Sequence, residues 1–170
     1  YNWSTGATTS NISSLSAGTY TVTETDVNGC TQSGQVTISQ PVAALSVSGT
    51  TNNALCYDSP TGSIAVSASG GTSPYTYQWN NGNSASTISG MGAGSYTVTA
   101  TDANGCSTSA SYNISQPAAA LNATISSSAA LCYSQNSGSI SVNPVGGTTP
   151  YSYLWSNGGT GATVSNAGAG

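Results

Sequence analysis

The chain has 170 residues and no lysine, arginine or histidine, and its four acidic residues give it a net charge of −4. A chain without cationic side chains cannot neutralise phosphates, which argues against nucleic acid binding and against attraction to anionic lipids. No apolar run approaches the roughly 18 residues that a membrane-spanning helix needs, so we expect no membrane insertion in this segment.

The sequence repeats itself with a long period. Trp3, Trp79 and Trp155 are evenly spaced with a period of 76, and each of the four cysteines has a counterpart at that spacing. No insertion or deletion breaks the register. Because solenoid repeats usually have about 20–50 residues, a 76-residue unit is better interpreted as a small autonomous domain.

Proline steps mark the predicted joints between these units. Proline stiffens the chain and ends strand pairing, so we place the joints at Pro41 and Pro117. One complete module then covers 42–117. Residues 1–41 are expected to form the C-terminal half of a preceding module, and residues 118–170 the N-terminal part of a following one. The chain is therefore expected to be a segment of a longer array.

Apolar and polar residues alternate in four stretches of the complete module, which predicts half-buried β-strands. In chain order the main inward-facing side chains are Ile64 and Val66, then Tyr75, Tyr77 and Trp79, then Tyr96 and Val98, and then Ile114. Turn residues separate the strands, and no useful helical periodicity is present. About seven short strands predict an all-β, immunoglobulin-like sandwich with Trp79 in its core and Tyr96 at a tyrosine corner.

Asp102, Asn104 and Gly105 belong to a predicted hairpin turn between two of these strands. We expect Asp102 to cap its own turn through a side-chain hydrogen bond. The competing hypothesis makes Asp102 and its counterpart Asp26 calcium ligands, because oxygen-rich turns bind hard cations. One carboxylate per module is too few for a tight site, so no cofactor is predicted and Ca²⁺ remains the alternative.

The cysteines suggest a covalent staple for a small core. Pairing within the module joins Cys56 to Cys106 and closes a loop of about 50 residues, worth roughly 4 kcal/mol. In a regular sandwich these positions lie at opposite ends, farther apart than a disulfide reaches. The Cys56–Cys106 bond is the favoured prediction, with bonds between neighbouring modules and free thiols as alternatives.

Ligand-binding candidates are few. Tyr57 follows a cysteine and is the aromatic residue with the weakest case for burial, and Asn80 and Asn81 begin an asparagine-rich loop. These three residues are the candidate contacts for a carbohydrate. Catalysis is not predicted, because the carboxylate pair Glu24 and Asp26 is not kept in the next module, where Ala100 replaces Glu24.

Three runs in the chain carry a resemblance to a known family. They are GGTSPYTYQWNNG (70–82), MGAGSYTVTATDANGC (91–106) and ISQP (114–117), and they resemble the SprB-type repeat. That repeat occurs in very large surface adhesins of gliding and other Bacteroidetes bacteria.

The resemblance to the SprB-type repeat covers the whole chain and carries no catalytic residues. It implies an extracellular stalk or filament spacer that serves adhesion or gliding motility and is exported by the type IX system. Its partners would be neighbouring repeats and, in a filament, other copies. The alternative function is a carbohydrate-binding module that recognises surface polysaccharide.

Overall fold

The computed structural model of the protein describes residues 1–131 and 136–167. The regular secondary structure of these residues consists of β-strands. The strands are β1 (Asn2–Trp3), β2 (Gly18–Thr25), β3 (Thr31–Ile38), β4 (Ser46–Asn52), β5 (Gly62–Ser69), β6 (Thr76–Trp79), β7 (Thr87–Met91), β8 (Gly94–Thr101), β9 (Ser107–Ile114), β10 (Asn122–Ser128), β11 (Gly138–Val145) and β12 (Thr163–Ala167). The prediction of an all-β fold is confirmed. In the described part of the chain, no helix has the length and apolarity that crossing a membrane requires.

The twelve strands form four three-stranded antiparallel sheets. Their orders are β1-β2-β3, β4-β5-β7, β6-β8-β9 and β10-β11-β12. The second and third sheets face each other and share one core, and β4 also contacts β9 along one side of the sandwich. One sheet contributes Ile64, Val66 and Ile88 to the core, and the other contributes Trp79, Val98 and Ile114.

Alternation along the strands explains which side chains reach this core. In β5, Ile64 and Val66 are buried while Ala65 and Ser67 between and beyond them are exposed. Trp79 is 2% exposed and donates its indole N–H to the carbonyl oxygen of Ala85 at 2.9 Å. A fully buried valine or isoleucine side chain stabilises the folded state by about 1.5–3 kcal/mol relative to an exposed one.

The central sandwich has six strands, β4 to β9, where the sequence predicted about seven. The segment between β6 and β7 is a turn held by its own asparagines, because Asn83 donates its N–H to Asn81 Oδ1 and accepts through Oδ1 from the N–H of Ala85. The Tyr96 hydroxyl donates to the carbonyl oxygen of Gly92 at 3.1 Å, a bond of the tyrosine-corner kind. The more specific immunoglobulin-like assignment stays a prediction.

The two terminal sheets repeat the two sheets of the central sandwich. The β1-β2-β3 sheet lies one repeat period before β6, β8 and β9, and the β10-β11-β12 sheet lies one period after β4, β5 and β7. Neither packs against another sheet of the described residues. Their apolar faces are therefore uncovered, and Val36 and Ile125 are 54% and 70% exposed.

Two connections join the three units. One runs from the end of β3 at Ile38 to the start of β4 at Ser46, and the other runs from Ile114 to Asn122. Pro41 lies in the first connection and Pro117 in the second, so both prolines stand outside the strands. The division into units at 41 and 117 stays a prediction.

Candidate functional site

Asp102 is the one buried charged residue in the described part of the chain. Its Oδ1 accepts the backbone N–H groups of Asn104 at 3.0 Å and Cys106 at 2.9 Å, and its Oδ2 accepts the N–H of Thr72 at 3.0 Å. These backbone hydrogen bonds, that of Thr72 foremost, lower the pKa of Asp102 from its ordinary value of 3.8, and burial opposes them. The carboxylate thus ties the β8–β9 turn, which contains Gly105, to the β5–β6 turn.

The β5–β6 turn also binds the segment that leads into the first strand of the sandwich, β4. Gly71 donates its N–H to the carbonyl oxygen of Ala43 at 2.9 Å. Gly70 and Gly71 have φ values of 73° and 56°, in the left-handed region. A Cβ atom on Gly70 would lie 2.1 Å from the Ala44 carbonyl oxygen, and one on Gly71 would lie 2.6 Å from Asp102 Oδ2. Only glycine fits both positions.

The same pair of glycine contacts, which we call the glycine clamp, occurs at the second connection. Gly147 donates its N–H to the carbonyl oxygen of Ala119 at 2.9 Å, and a Cβ atom on Gly146 would lie 2.2 Å from the Ala120 carbonyl oxygen. Each connection borders a shallow groove. The first groove includes Gln40, Pro41, Leu45, Cys106 and Thr108, and the second includes Asn53, Leu55, Gln116, Pro117 and Thr148. The glycine contacts are therefore a repeated feature of the joint, whereas the two grooves are lined by different positions of the repeat.

The cysteines lie at opposite ends of the central sandwich. Cys56 is in the β4–β5 loop, where Ala54 donates its N–H to the carbonyl oxygen of Ser115, just beyond β9. Cys106 comes directly before β9, so the length of that strand, about 25 Å at 3.3 Å per residue, separates the two. A disulfide requires Cα atoms within roughly 7 Å.

The predicted Cys56–Cys106 bond is therefore wrong. Cys30, Cys56 and Cys106 are free and exposed, and Cys132 lies outside the described residues. Cys56 and Cys106 lie at opposite ends of the sandwich, as a regular sandwich predicts. This separation prevents the bond, although closing the loop would have stabilised the fold. Bonds between neighbouring modules stay a prediction.

Among the described residues, no hydrogen bond links the three candidate carbohydrate contacts, Tyr57, Asn80 and Asn81, to one another. Tyr57 is 41% exposed in the β4–β5 loop. Asn80 Oδ1 accepts the N–H of Thr97 at 3.2 Å, and Asn81 Oδ1 accepts the N–H of Asn83 at 3.1 Å. The two asparagines thus shape their own turn and anchor it to β8, whereas the ring of Tyr57 is available at the surface.

The aromatic triplet around β6 is anchored in the sandwich. The Tyr75 hydroxyl donates to the carbonyl oxygen of Gly70 at 2.6 Å, and the Tyr77 hydroxyl accepts the N–H of Ala68 at 3.0 Å. Both tyrosines are half-buried, and the Trp79 ring lies 6.4 Å from that of Tyr112. These contacts make the triplet part of the packing and leave it no shared exposed face for stacking on a sugar.

Two hydroxyl pairs lie on the outer face of each of the four sheets, a feature that was not predicted from the sequence. Between β8 and β9, Thr97 pairs with Ser111 and Thr99 with Ser109, each at 2.8 Å between oxygens. The equivalent or opposite sheets carry Thr19–Thr37, Thr23–Ser33, Ser46–Ser69, Ser48–Ser67, Ser126–Ser141 and Ser128–Ser139. Aligning the threonines of β8 with the serines of β9 as an antiparallel pair would have found them.

Asp26 repeats the turn-capping role of Asp102. Its Oδ1 accepts the N–H groups of Asn28 and Cys30, each at 2.8 Å. In the described part of the chain, no three histidine, cysteine, aspartate or glutamate residues form a group that could hold a metal ion. The predicted cap is thus present at both turns. For the alternative calcium hypothesis the described residues offer Asp102 at one turn and Asp26, with Glu24 beside it, at the other.

Comparison with protein families gives two matches in this chain. The family model described as the SprB repeat matches residues 48–84 and residues 124–160. The two matches are offset by the same period as the tryptophans, and each extends from the first strand of a unit past its tryptophan. No curated protein matches the chain at a significant level.

Proposed function

The chain belongs to the SprB repeat family, and from that premise we propose that it is a non-catalytic spacer in a large extracellular adhesin or surface filament. SprB repeats are structural repeats of cell-surface proteins. The proposal assigns to this chain the task of separating a distal adhesive part from the cell by a defined distance.

The observation that carries the proposal is the direction of the chain through the central sandwich. The chain enters beside Gly71 and the Asp102 turn, and it leaves after Ile114 beside the β4–β5 loop, at the other end of β9. Strands of eight residues with their turns give a module roughly 30–40 Å long. Because the same glycine clamp receives the chain at both joints, successive modules would add their lengths.

The surface of the chain suits an exposed stalk. Some of its outer hydroxyls are bonded to one another in pairs, as between Thr99 and Ser109, and the chain contains no lysine or arginine for a trypsin-like protease to recognise. The absence of cationic side chains removes long-range attraction to polyanions, so the stalk itself would stay inert while other parts of the protein adhere.

Small-angle X-ray scattering of the 170-residue chain, extrapolated to infinite dilution, tests the spacer function. A compact chain of this length would have a radius of gyration of about 15 Å. We expect a value well above that and a distance distribution with a long tail, as an end-to-end arrangement requires. A radius of gyration equal to that of a compact chain would contradict the proposal.

A role in gliding motility or adhesion, and export by the type IX system, extend this proposal on the strength of the family alone. An antibody raised against the 170-residue chain would label intact source cells if the repeat is displayed on the surface. Labelling that requires permeabilised cells would count against display.

A carbohydrate-binding module is the second candidate function, and the exposed ring of Tyr57 is the observation that favours it. A glycan array probed with the chain and with Tyr57→Ala separates the two functions. Binding that disappears in the variant would favour recognition of polysaccharide, whereas no binding by either protein favours the spacer.

A further inference from the structure

The two cysteines of the central module belong to its two opposite ends. Cys106 directly precedes β9, and it borders the first groove together with Pro41 and Leu45, where the chain enters the sandwich. Cys56 lies in the β4–β5 loop, at the end where the chain leaves. A joint between two such modules therefore receives one cysteine from the exit end of the first and one from the entry end of the second.

The loop that contains Cys56 is bonded to the residues that leave the sandwich. Asp58 donates its N–H to Gln116 Oε1 at 3.0 Å, and its Oδ1 accepts from Gln116 Nε2 at 3.4 Å. Gln116 directly precedes Pro117, the proline of the second connection. These two hydrogen bonds hold the Cys56 loop at the exit side of the joint.

The turn that contains Cys106 is bonded to the entry side, next to the glycine clamp. Asp102 accepts the N–H of Cys106 through Oδ1 and the N–H of Thr72 through Oδ2. The carbonyl oxygen of Thr72 accepts the N–H of Ala103, and Thr72 Oγ1 accepts from Asn104 Nδ2, each at 2.9 Å. The position of Thr72 therefore determines where the cysteine turn of a module lies.

One position of the repeat connects the two cysteine segments. Thr148 is the counterpart of Thr72, one repeat period later. It borders the second groove together with Leu55, the residue that precedes Cys56. The position that binds the cysteine turn of its own module thus lies beside the cysteine loop of the preceding module. A complete joint therefore brings the two cysteine segments together at this threonine.

Distance excludes the other ways of pairing the described cysteines. Cys56 and Cys106 of one module are separated by the length of β9, about 25 Å at 3.3 Å per residue. Cys30 and Cys106 occupy the same position in successive units, so a whole module separates them in an end-to-end array. A disulfide requires Cα atoms within roughly 7 Å. The unlike pair across a joint is the pairing that this limit favours.

We propose that Cys56 and the counterpart of Cys106 in the following module form a disulfide across the joint, so that neighbouring modules of a tandem array are covalently linked. The proposal rests on the end-to-end arrangement of the proposed function. Because each module supplies one cysteine to each of its two joints, every joint inside an array receives a complete pair. The bond would brace the stalk, since the short connection at Pro117 would no longer bear tension alone.

The bond forms by disulfide exchange with an oxidant. One thiolate attacks the disulfide of a thiol oxidoreductase or of oxidised glutathione and forms a mixed disulfide. The second thiolate then displaces the oxidant's sulfur and completes the bond between the two cysteines. The two cysteine thiols lose two protons and two electrons in total, and the oxidant leaves as two thiols. Extracellular compartments supply such oxidants, and both Cys56 and Cys106 are exposed to them.

The 170-residue chain, extended after Gly170 by a copy of residues 95–117, tests the proposal. Gly170 corresponds to Gly94, so the added segment continues the repeat in register and supplies a counterpart of Cys106. The reduced protein is transferred in dilute solution to a glutathione redox buffer, alkylated, and digested with chymotrypsin. We expect Cys56 and the added cysteine to escape alkylation and to appear together in one cross-linked peptide.

Three variants of the extended chain serve as controls. Cys56→Ser should leave the added cysteine open to alkylation, whereas Cys106→Ser should leave the bond intact. The double variant Cys56→Ser, Ser48→Cys moves the thiol to the exposed outer face of β4, so the added cysteine should again be alkylated. Circular dichroism of each variant verifies that the strands persist.

Three results would overturn the proposal: alkylation of both Cys56 and the added cysteine, a bond that joins two chains, and equal pairing of the cysteine moved to position 48. Scattering from the reduced extended chain separates this proposal from the spacer function. An elongated reduced chain that forms no bond would overturn the disulfide alone, whereas a compact chain would overturn both.

Discussion

The central sandwich and the terminal sheets contain nearly the same strands but bury them differently. Trp79 is 2% exposed with a facing sheet, while Trp3 and Trp155 are only partly buried without one. All three keep the indole hydrogen bond to the carbonyl oxygen six residues later, at 2.8–2.9 Å. The local turn thus forms from its own sequence, whereas the core requires two sheets.

The difference identifies the sandwich as the stabilising unit. A single three-stranded sheet leaves its apolar face in water, so it gains little of the roughly 25 cal/mol per Å² that burial provides. The repeat therefore depends on a complete pair of sheets.

Trp79→Ala should have the largest effect, because it removes the largest buried side chain from the closed core. We expect the free energy of unfolding of the central module to fall by about 3–5 kcal/mol. Trp3→Ala should lower the free energy of unfolding by about 1 kcal/mol or less, because the Trp3 side chain is only partly buried. Urea titrations followed by circular dichroism in dilute solution measure both, and equal losses would contradict the comparison.

Gly70→Ala should have the next largest effect. The substitution forces an alanine into a left-handed backbone and places its Cβ atom against the Ala44 carbonyl oxygen. Gly6→Ala in the N-terminal unit is the matched control, because Gly6 has a φ of 84° but open space around its Cβ position. The control should lose about 1–2 kcal/mol from backbone strain alone, and Gly70→Ala should lose more. Thermal unfolding of both variants decides this, and equal shifts would argue against a tight joint.

Asp102 should make the central module sensitive to acid. Its folded-state pKa lies below 3.8, so its contribution is complete above that value and is lost as the pH falls through the lowered pKa. The free energy of unfolding should therefore decrease as the pH is lowered below about 4. Asp102→Asn should flatten that fall, and Asp26→Asn should change it less, because Asp26 has no bond like that from Thr72. An unchanged profile in Asp102→Asn would contradict the assignment.

Thr99→Ala should have the smallest effect. Its hydroxyl pairs with Ser109 on an outer face, where water can replace the lost partner. We expect a change within about 0.5 kcal/mol, and the same for the equivalent Thr23→Ala in the N-terminal sheet. Urea titration of the two variants should show no difference between the regions. A large loss in either would make the hydroxyl pairs a structural element rather than a surface coating.

Much of the fold could be predicted from the sequence, because alternation and turn chemistry are local. The inward positions of β5, β8 and β9 follow from every second residue being apolar, and the Asp102 cap follows from the turn sequence. The strand β7 was missed because only Ile88 and Met91 mark it among small polar residues.

The joints and cysteines were harder to predict, because they depend on contacts between distant segments. The contact between Gly71 and Ala43 joins the β5–β6 turn to the segment that leads into β4, and these two positions are far apart in the sequence. The spacing of Cys56 and Cys106 favoured a bond by loop entropy, and the length of β9 forbids it. Distances through space decided what the order of residues along the chain could not.

Acrylamide quenching of three variants, each retaining a single tryptophan with the other two changed to phenylalanine, tests whether the complete module closes around Trp79. In dilute solution we expect Trp79 to be strongly protected, while Trp3 and Trp155 are quenched readily. Equal quenching of all three would show that the complete module does not close around its tryptophan, and would contradict the account of this chain as a string of sandwiches.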